Sequence, residues 1–488
     1  MQSAACHILA FCLITASLVF ALLRGFVDNA RWSLNSVEEY IPDFSRYEYI
    51  RTLSELEFPV DDPHRRVIVV GDIHGMIRPF QTLLEHISYT PTSDVLIHVG
   101  DFITKGPHKG SMSTLQFMTT HNITGVRGNH DQKVIEWRGW LDWIQTLPGG
   151  RSWLASTYRR WKAAERRGEK LAHWVKGERR RSHGQAEAKW WALVPVNWVL
   201  FSDQYKIATE LSQEQMRYLL ALPLKLYIPS AHTFIVHAGL LPSDPRYPYW
   251  HGRQPLATVP RKLDGEMGVE EHGDEGEVNA TVHYMRTIQE VALLTQVPQN
   301  TDPWVTLNMR GLIGDKVTRS KKGKPWSQVW KHDMSHCAGF DYEKIISTKT
   351  GKHSLPCYPS TVIYGHAAMR GLDIKRWTLG LDSGCVYKRE LTALVIGPKT
   401  RESSFSNTFD NEEVKEDEYE LYEDEDSFGD PPVDAQSVLE NVLDSRSPKS
   451  HFESQSQPLH AEKSKKNGAI VKFGDTGWAR VVKVKCTA

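Results

Sequence analysis

Five short stretches carry residues that could do metal chemistry. VIVVGDIHG (67–75) runs from β-branched residues into Asp72 and His74. LIHVGDFITKGP (96–107) ends on Asp101, TGVRGNHD (124–131) on Asn129 and His130, IVHAGL (235–240) on His237, and VIYGHA (362–367) on His366. Each apolar run is too short and too rich in β-branched residues for a helix and reads as a buried strand. Glycine then turns the chain, so the polar residue stands at the strand's carboxyl end, where open α/β sheets bind ligands. Asp plus His at spacing two can put an oxygen and a nitrogen on one cation, because alternate residues of an extended segment point the same way. One such ending is as well explained by a turn Asp and a surface His; five in one chain point to a metal centre.

The residue types suit two divalent ions about 3.5–4 Å apart, which hold a hydroxide and polarise a phosphoryl oxygen. Two Asp, one Asn and three His leave the site net positive, as a phosphate substrate needs. There is no CxxC, so the six cysteines do not form a thiolate metal site. Cys337 and Cys357 could pair in an oxidising compartment; spacing alone does not decide it.

The elements that must position these residues lie between about 65 and 397 of the 488 residues. Strand runs there alternate with helical patterns, which implies a layered α/β domain. Residues 24–64 read as a stem. Residues 151–190 hold twelve Lys/Arg against four Glu, interleaved with Trp153, Trp161, Trp174 and Trp190, and read as an inserted basic helical hairpin. Its tryptophans pack inward on one reading; on another, the cationic face binds a polyanion or single-stranded nucleic acid. Residues 410–430 hold twelve Asp/Glu and one Lys, so 398–466 reads as an acidic disordered segment, either a solvated loop or a competitor for the basic surface. The end, 467–488, reads as a β-hairpin returning to the edge of the core sheet. Residues 4–23 are apolar for twenty residues, the length of a bilayer span, with no basic residue before them, which favours an uncleaved anchor over a signal peptide. Arg24 and Arg31 after the span lean toward a cytosolic body. Asn122 and Asn279 are potential glycosylation acceptors, and sugar on Asn279 would argue the opposite.

GDIHG, GDFITKGP, RGNHD, HAGL and YGHA, in this order, resemble the metallophosphoesterases of the PPP phosphatase superfamily. KGP after the second motif, with GLDSGCVYKRELTALVI (380–396), resembles its ApaH-like branch, and the apolar N-terminus makes the chain most similar to the fungal vacuolar endopolyphosphatases. The resemblance implies a calcineurin-like β-sandwich flanked by helices. It implies Asp72 and His74 on one metal, Asp101 as the bridge, and Asn129, His237 and His366 on the second. His130 would protonate the leaving oxygen, while Lys105 and Arg310 would bind phosphate oxygens; for Arg310 a plain surface role is an equal alternative. The two ions would be Zn, Mn, Co or Fe, since all suit mixed nitrogen and oxygen ligands. The implied substrate is a phosphoanhydride: inorganic polyphosphate cut internally, or alternatively a dinucleoside polyphosphate or an RNA cap. An inactive phosphate-sensing protein is a third reading, against which stands the full set of ligand types. The implied placement is a vacuolar membrane, single-pass, with a lumenal catalytic domain and no specific protein partner.

One departure matters. In the serine/threonine phosphatases of the superfamily the second motif continues Asp-Arg-Gly, and that Asp pairs with the catalytic His. Here Thr104 and Lys105 stand instead. This lowers a phosphoprotein-phosphatase reading and leaves the partner of His130 open, with Asp131 a nearby candidate.

Overall fold

The computed structural model describes residues 41–182, 186–260, 275–340, 354–397 and 468–487. Fifteen strands are described: β1 (Glu48–Thr52), β2 (Arg66–Val70), β3 (Asp94–His98), β4 (Thr124–Gly125), β5 (Pro223–Ile228), β6 (Thr233–Val236), β7 (Gly311–Ile313), β8 (Lys316–Thr318), β9 (Lys324–Pro325), β10 (Thr361–Tyr364), β11 (Asp373–Lys375), β12 (Thr378–Gly380), β13 (Glu390–Ile396), β14 (Ala469–Phe473) and β15 (Gly477–Lys485). Between them run the helices α1 (Ile77–His86), α2 (His108–Thr120), α3 (Asn129–Ile144), α4 (Gly150–Arg166), α5 (Leu171–Arg181), α6 (Ala188–Ala192), α7 (Asp203–Glu210), α8 (Gln213–Ala221), α9 (Glu275–Gln296), α10 (Pro298–Thr301), α11 (Pro303–Asn308) and α12 (Trp326–Met334).

Chain contacts divide the molecule into two units. The larger holds residues 42–176, 200–409 and 468–488. Its strands form two six-stranded sheets, ordered β1-β5-β6-β10-β12-β11 and β14-β15-β13-β2-β3-β4, and a small sheet β8-β7-β9. Side chains alternate across each strand. Val67, Val69, Ile97 and Val99 from one sheet therefore meet Leu226, Ile228, Ile235 and Ile363 from the other in a shared core. The opposite face of the first sheet sends Tyr227, Phe234, Val236, Val362 and Tyr364 against Trp326, Trp330 and Met334 of α12 and Leu293 and Leu294 of α9. This is a mixed α/β architecture, a sandwich of sheets with helices outside, as the resemblance implies.

The parallel pairs β2–β3, β3–β4 and β6–β10 bring several carboxyl ends to one edge. β15 pairs antiparallel with β13 over the whole of Glu390–Ile396, and β14 pairs with β15, so the C-terminal hairpin extends the second sheet. Disulfides join Cys337 to Cys357 and Cys385 to Cys486.

Three expectations are corrected or bounded. The stem reading of 24–64 fails for its described part: β1 pairs in parallel with β5, and Leu53 and Phe58 are buried in the inter-sheet core. Tertiary pairing rescues a strand too short and polar to announce itself. The basic stretch is not one body, since residues up to 176 belong to the larger unit and 177–199 to the smaller. Within the smaller unit the Arg179 guanidinium donates to the carbonyls of Val194 and Pro195 at 3.0 Å, and Arg181 pairs with Glu178. In the larger unit Trp153, Trp161 and Trp174 are buried, while Arg151, Arg159, Arg166, Arg167 and Lys170 are exposed.

The membrane placement is also corrected. Among the described residues, no helix is long and apolar enough to cross a membrane. The apolar stretch 4–23 and the acidic segment 398–466 lie outside the described residues, as do nearly all of residues 24–41 and most of the loop before Asn279. With no span among the described residues, the single-pass vacuolar-membrane placement with a lumenal catalytic domain does not stand.

Candidate metal centre and active site

Asp72 and His74 follow β2, Asp101 follows β3, Asn129 and His130 open α3, His237 follows β6 and His366 follows β10. His74, Asp101, Thr104, Lys105 and His366 all take left-handed backbone angles, φ between 47° and 73°. Such strain costs of order 1–3 kcal/mol per residue and collects where function over-determines the backbone. Two glycines are required by close approach. A Cβ on Gly128 would lie 2.0 Å from Asp101 Oδ1, and one on Gly365 would lie 2.1 Å from Asp72 Oδ1.

Two buried triads could each hold a metal ion: Asp72, His74 and Asp101, and Asp101, His237 and His366. Asp101 belongs to both. Hydrogen bonding fixes the tautomers. His237 Nδ1 lies 2.9 Å from the Val99 carbonyl oxygen. A carbonyl only accepts, so Nδ1 carries the hydrogen and Nε2 presents a lone pair. That lone pair faces Asn129 Oδ1 at 3.0 Å and Asp101 Oδ2 at 3.4 Å. His366 behaves likewise: Nε2 meets the Asn308 carbonyl at 3.2 Å, leaving the Nδ1 lone pair on Asn129 Oδ1 at 3.1 Å. Two nitrogens and two oxygens converge with no donor hydrogen among them, the arrangement in which a backbone carbonyl orients an imidazole toward a cation. His74 Nδ1 is buried with no hydrogen-bond partner. The residues fit a pair of metal ions.

The charges agree. Burial pushes the Asp72 carboxyl well up, and Asp382 and Asp101 add to it, partly offset by the His366 N–H. Burial also opposes ionisation of Asp101, yet His237, His130 and His74 outweigh it and hold Asp101 well below the usual carboxylate range. Burial opposes the His237 cation, but Asp101 overcomes it and pushes His237 up. Burial, then the positive charge of Arg310, keeps His366 neutral. Burial lowers His74 too, with Lys105 adding to the effect. Lys105 and Arg310 thus both act electrostatically on the cluster.

His130 sits beside the triads. Its backbone N–H donates to Asp101 Oδ1 at 2.9 Å, and its ring meets the His74 ring edge-on, 5.5 Å between centroids. Asp131 is not turned to that ring: its Oδ2 accepts from the backbone N–H of Asp101 and of Gly128, capping α3. Instead, Gln204 Nε2 lies 3.3 Å from His130 Nδ1. The hydroxyl of Thr104 is buried without a hydrogen-bond partner.

Sequence reasoning missed Asp382, Gln204 and Asp203. Asp382 had a usable signal, since β12 ends two residues before it as β2 ends two residues before Asp72. Gln204 had none.

Residues 65–233 match the family model described as calcineurin-like phosphoesterase. Over that stretch the chain is similar to calcineurin-like phosphoesterases. Serine/threonine-protein phosphatase 2 of Escherichia coli (strain K12) is 37% identical over 93 residues, 19% of this chain and 38% of the relative. A symmetrical bis(5′-nucleosyl)-tetraphosphatase of Ectopseudomonas mendocina (strain ymp) is 42% identical over 71 residues, 14% of this chain and 25% of the relative. The chain therefore spans well under half the length of the curated relatives it matches. A solved structure described as a candidate diadenosine tetraphosphatase aligns over 72% of this chain and 94% of its own, at 22% identity and a TM-score of 0.36.

Proposed function

We propose that this calcineurin-like domain is a metal-dependent hydrolase of phosphoanhydride bonds, cutting internal bonds of inorganic polyphosphate. One observation carries the hydrolase reading: Asp101 is shared by two buried triads whose acceptor atoms converge. Asp72, His74 and Asp101 hold one divalent cation, and Asp101, Asn129, His237 and His366 the other. When bound, such ions polarise a phosphoryl oxygen and lower the pKa of water. The chain's own residues do the rest. Lys105 and Arg310 attract and orient the phosphates. His130, beside the triads and within 3.3 Å of Gln204 Nε2, protonates the leaving oxygen.

The polyphosphate reading is supported by the exposed cations of α4 above its buried tryptophans. A long polyanion gains affinity by releasing counterions at many such contacts. A second reading, a nucleoside polyphosphate, is favoured by the relatives named bis(5′-nucleosyl)-tetraphosphatase. Product analysis decides. Long polyphosphate shortened to intermediate chains, with Mn²⁺ or Zn²⁺ added, supports the first. Preferential cleavage of diadenosine tetraphosphate supports the second. No metal-dependent turnover of either would sink the hydrolase reading.

A further inference from the structure

We propose that His232 and His283 form a separate metal site, taking one borderline divalent transition ion such as Zn²⁺ and tying α9 to the start of β6. His232 Nε2 and His283 Nδ1 stand 3.2 Å apart. Two nitrogens that share one tetrahedral zinc, each at about 2.0–2.1 Å from it, lie about 3.3 Å from one another. The contact is a poor hydrogen bond. The ring centroids are 4.9 Å apart, closer than two rings standing end to end at that nitrogen separation. At least one ring therefore lies well off the straight line that an N–H···N bond prefers. At most one hydrogen stands between the two nitrogens, and replacing it by a metal ion leaves a lone pair of each ring on the metal.

The far side of the His232 ring is braced as metal-bound imidazoles are. Its Nδ1 lies 3.1 and 3.2 Å from the two oxygens of Glu290. A carboxylate behind the ring fixes its orientation and makes the outer nitrogen a better ligand. Glu290 is itself buried and fixed, accepting the Tyr227 hydroxyl at 2.8 Å and the Ser360 hydroxyl at 2.6 Å. Arg286 Nε approaches it at 3.6 Å, but that guanidinium also pairs with Asp475 at 2.6 Å, which offsets its charge. His283, Arg286 and Glu290 fall at i, i+3 and i+7 of α9, so one helix face carries both a ligand and the brace. His232 takes a left-handed backbone, φ 45°, and its carbonyl accepts the Thr361 N–H at 3.0 Å. Such strain collects at functional positions. His283 is exposed, so an ion has a way in, and solvent or the exposed Glu55 carboxylate, whose charge acts on His283, completes the shell. The binuclear centre lies elsewhere. His232 precedes β6 and His237 follows it, five residues on, which is roughly 16 Å along a strand.

The test counts zinc. The full chain is stripped with chelator, dialysed to equilibrium against buffered Zn²⁺, and its zinc per chain is measured. At saturating free zinc the parent chain should hold one ion more than His283→Ala, a change at an exposed helix position. Turnover of a phosphate ester by His283→Ala should equal that of the parent. Equal zinc counts overturn the proposal. Loss of turnover together with the ion assigns that ion to the catalytic centre and overturns it as well. Glu290→Gln removes the charge of the brace and keeps its size. It should raise the free zinc needed to fill this one site by about 10–100-fold, the usual effect of losing such a partner. An unchanged midpoint in folded Glu290→Gln overturns the proposal; if that variant does not fold, the His283→Ala count decides. If the parent chain turns over no phosphate ester or anhydride, the hydrolase reading fails, while the zinc counts still decide this site.

Discussion

His237 Nε2 stands 3.4 Å from Asp101 Oδ2 while the far side of the same ring is pinned to the Val99 carbonyl. The ring cannot turn away without breaking a buried hydrogen bond, so its lone pair stays aimed at the carboxylate. Asp101→Asn should remove the charge both triads share. Metal analysis should then find fewer than two ions per chain, and turnover should fall by at least about a hundredfold, since even groups one step removed from a metal cost 10–100-fold. Retention of two ions with full activity would refute the shared role of Asp101.

Gly128→Ala tests close approach. The new Cβ meets Asp101 Oδ1 at 2.0 Å and the Asp101 backbone nitrogen at 2.3 Å, and the backbone atom cannot yield cheaply. Overpacking of this kind costs about 1–3 kcal/mol. Chemical denaturation should show that loss, and metal affinity should drop with it because the displaced group is Asp101.

His98 makes the fold acid-sensitive. Its ring is buried: Nδ1 accepts the Gly100 N–H, and Nε2 meets the Tyr218 hydroxyl, which donates to the Ile123 carbonyl. Burial, with His237 adding, lowers its pKa to about 3. The unfolded chain takes up a proton near pH 6.5 and the folded chain does not. Stability from this group is therefore complete above about pH 6.5 and lost as pH falls toward 3, at about 1.4 kcal/mol per unit. His98→Leu should be less stable at neutral pH, yet its urea midpoint should fall less steeply between pH 6.5 and 4. Parallel profiles would disprove the assignment.

The Cys385–Cys486 bond closes a span of 101 residues. Cross-links over long loops stabilise by about 2–4 kcal/mol, chiefly by restricting the unfolded chain. Cys486 also donates its N–H to the Arg389 carbonyl, beside the turn that follows Asp382. Replacing both Cys385 and Cys486 by Ser should lower Tm by several degrees, and reductant should have no further effect at that bridge. An unchanged Tm would show that the bridge adds nothing to what the pairing of β15 with β13 and β14 supplies.

The individual strand ends were legible in the sequence because the cues are local. β-branched runs such as Val67–Val70 prefer a buried sheet, glycine permits the turn after them, and Asp, Asn or His follows within two residues. Those cues yield the sandwich class and the candidate residues Asp72, His74, Asp101, Asn129, His130, His237 and His366. Tertiary structure alone decided what depends on distant pairing. Residues 48–52 joined the first sheet because β5 offered a free edge. The lone pairs of His237 and His366 were aimed by carbonyls 138 and 58 residues away in sequence. Gln204 reached His130 from 74 residues away because Tyr205 packs on Trp137. Residue type and spacing say which atoms can bind or donate; only packing fixes where their hydrogens and lone pairs point.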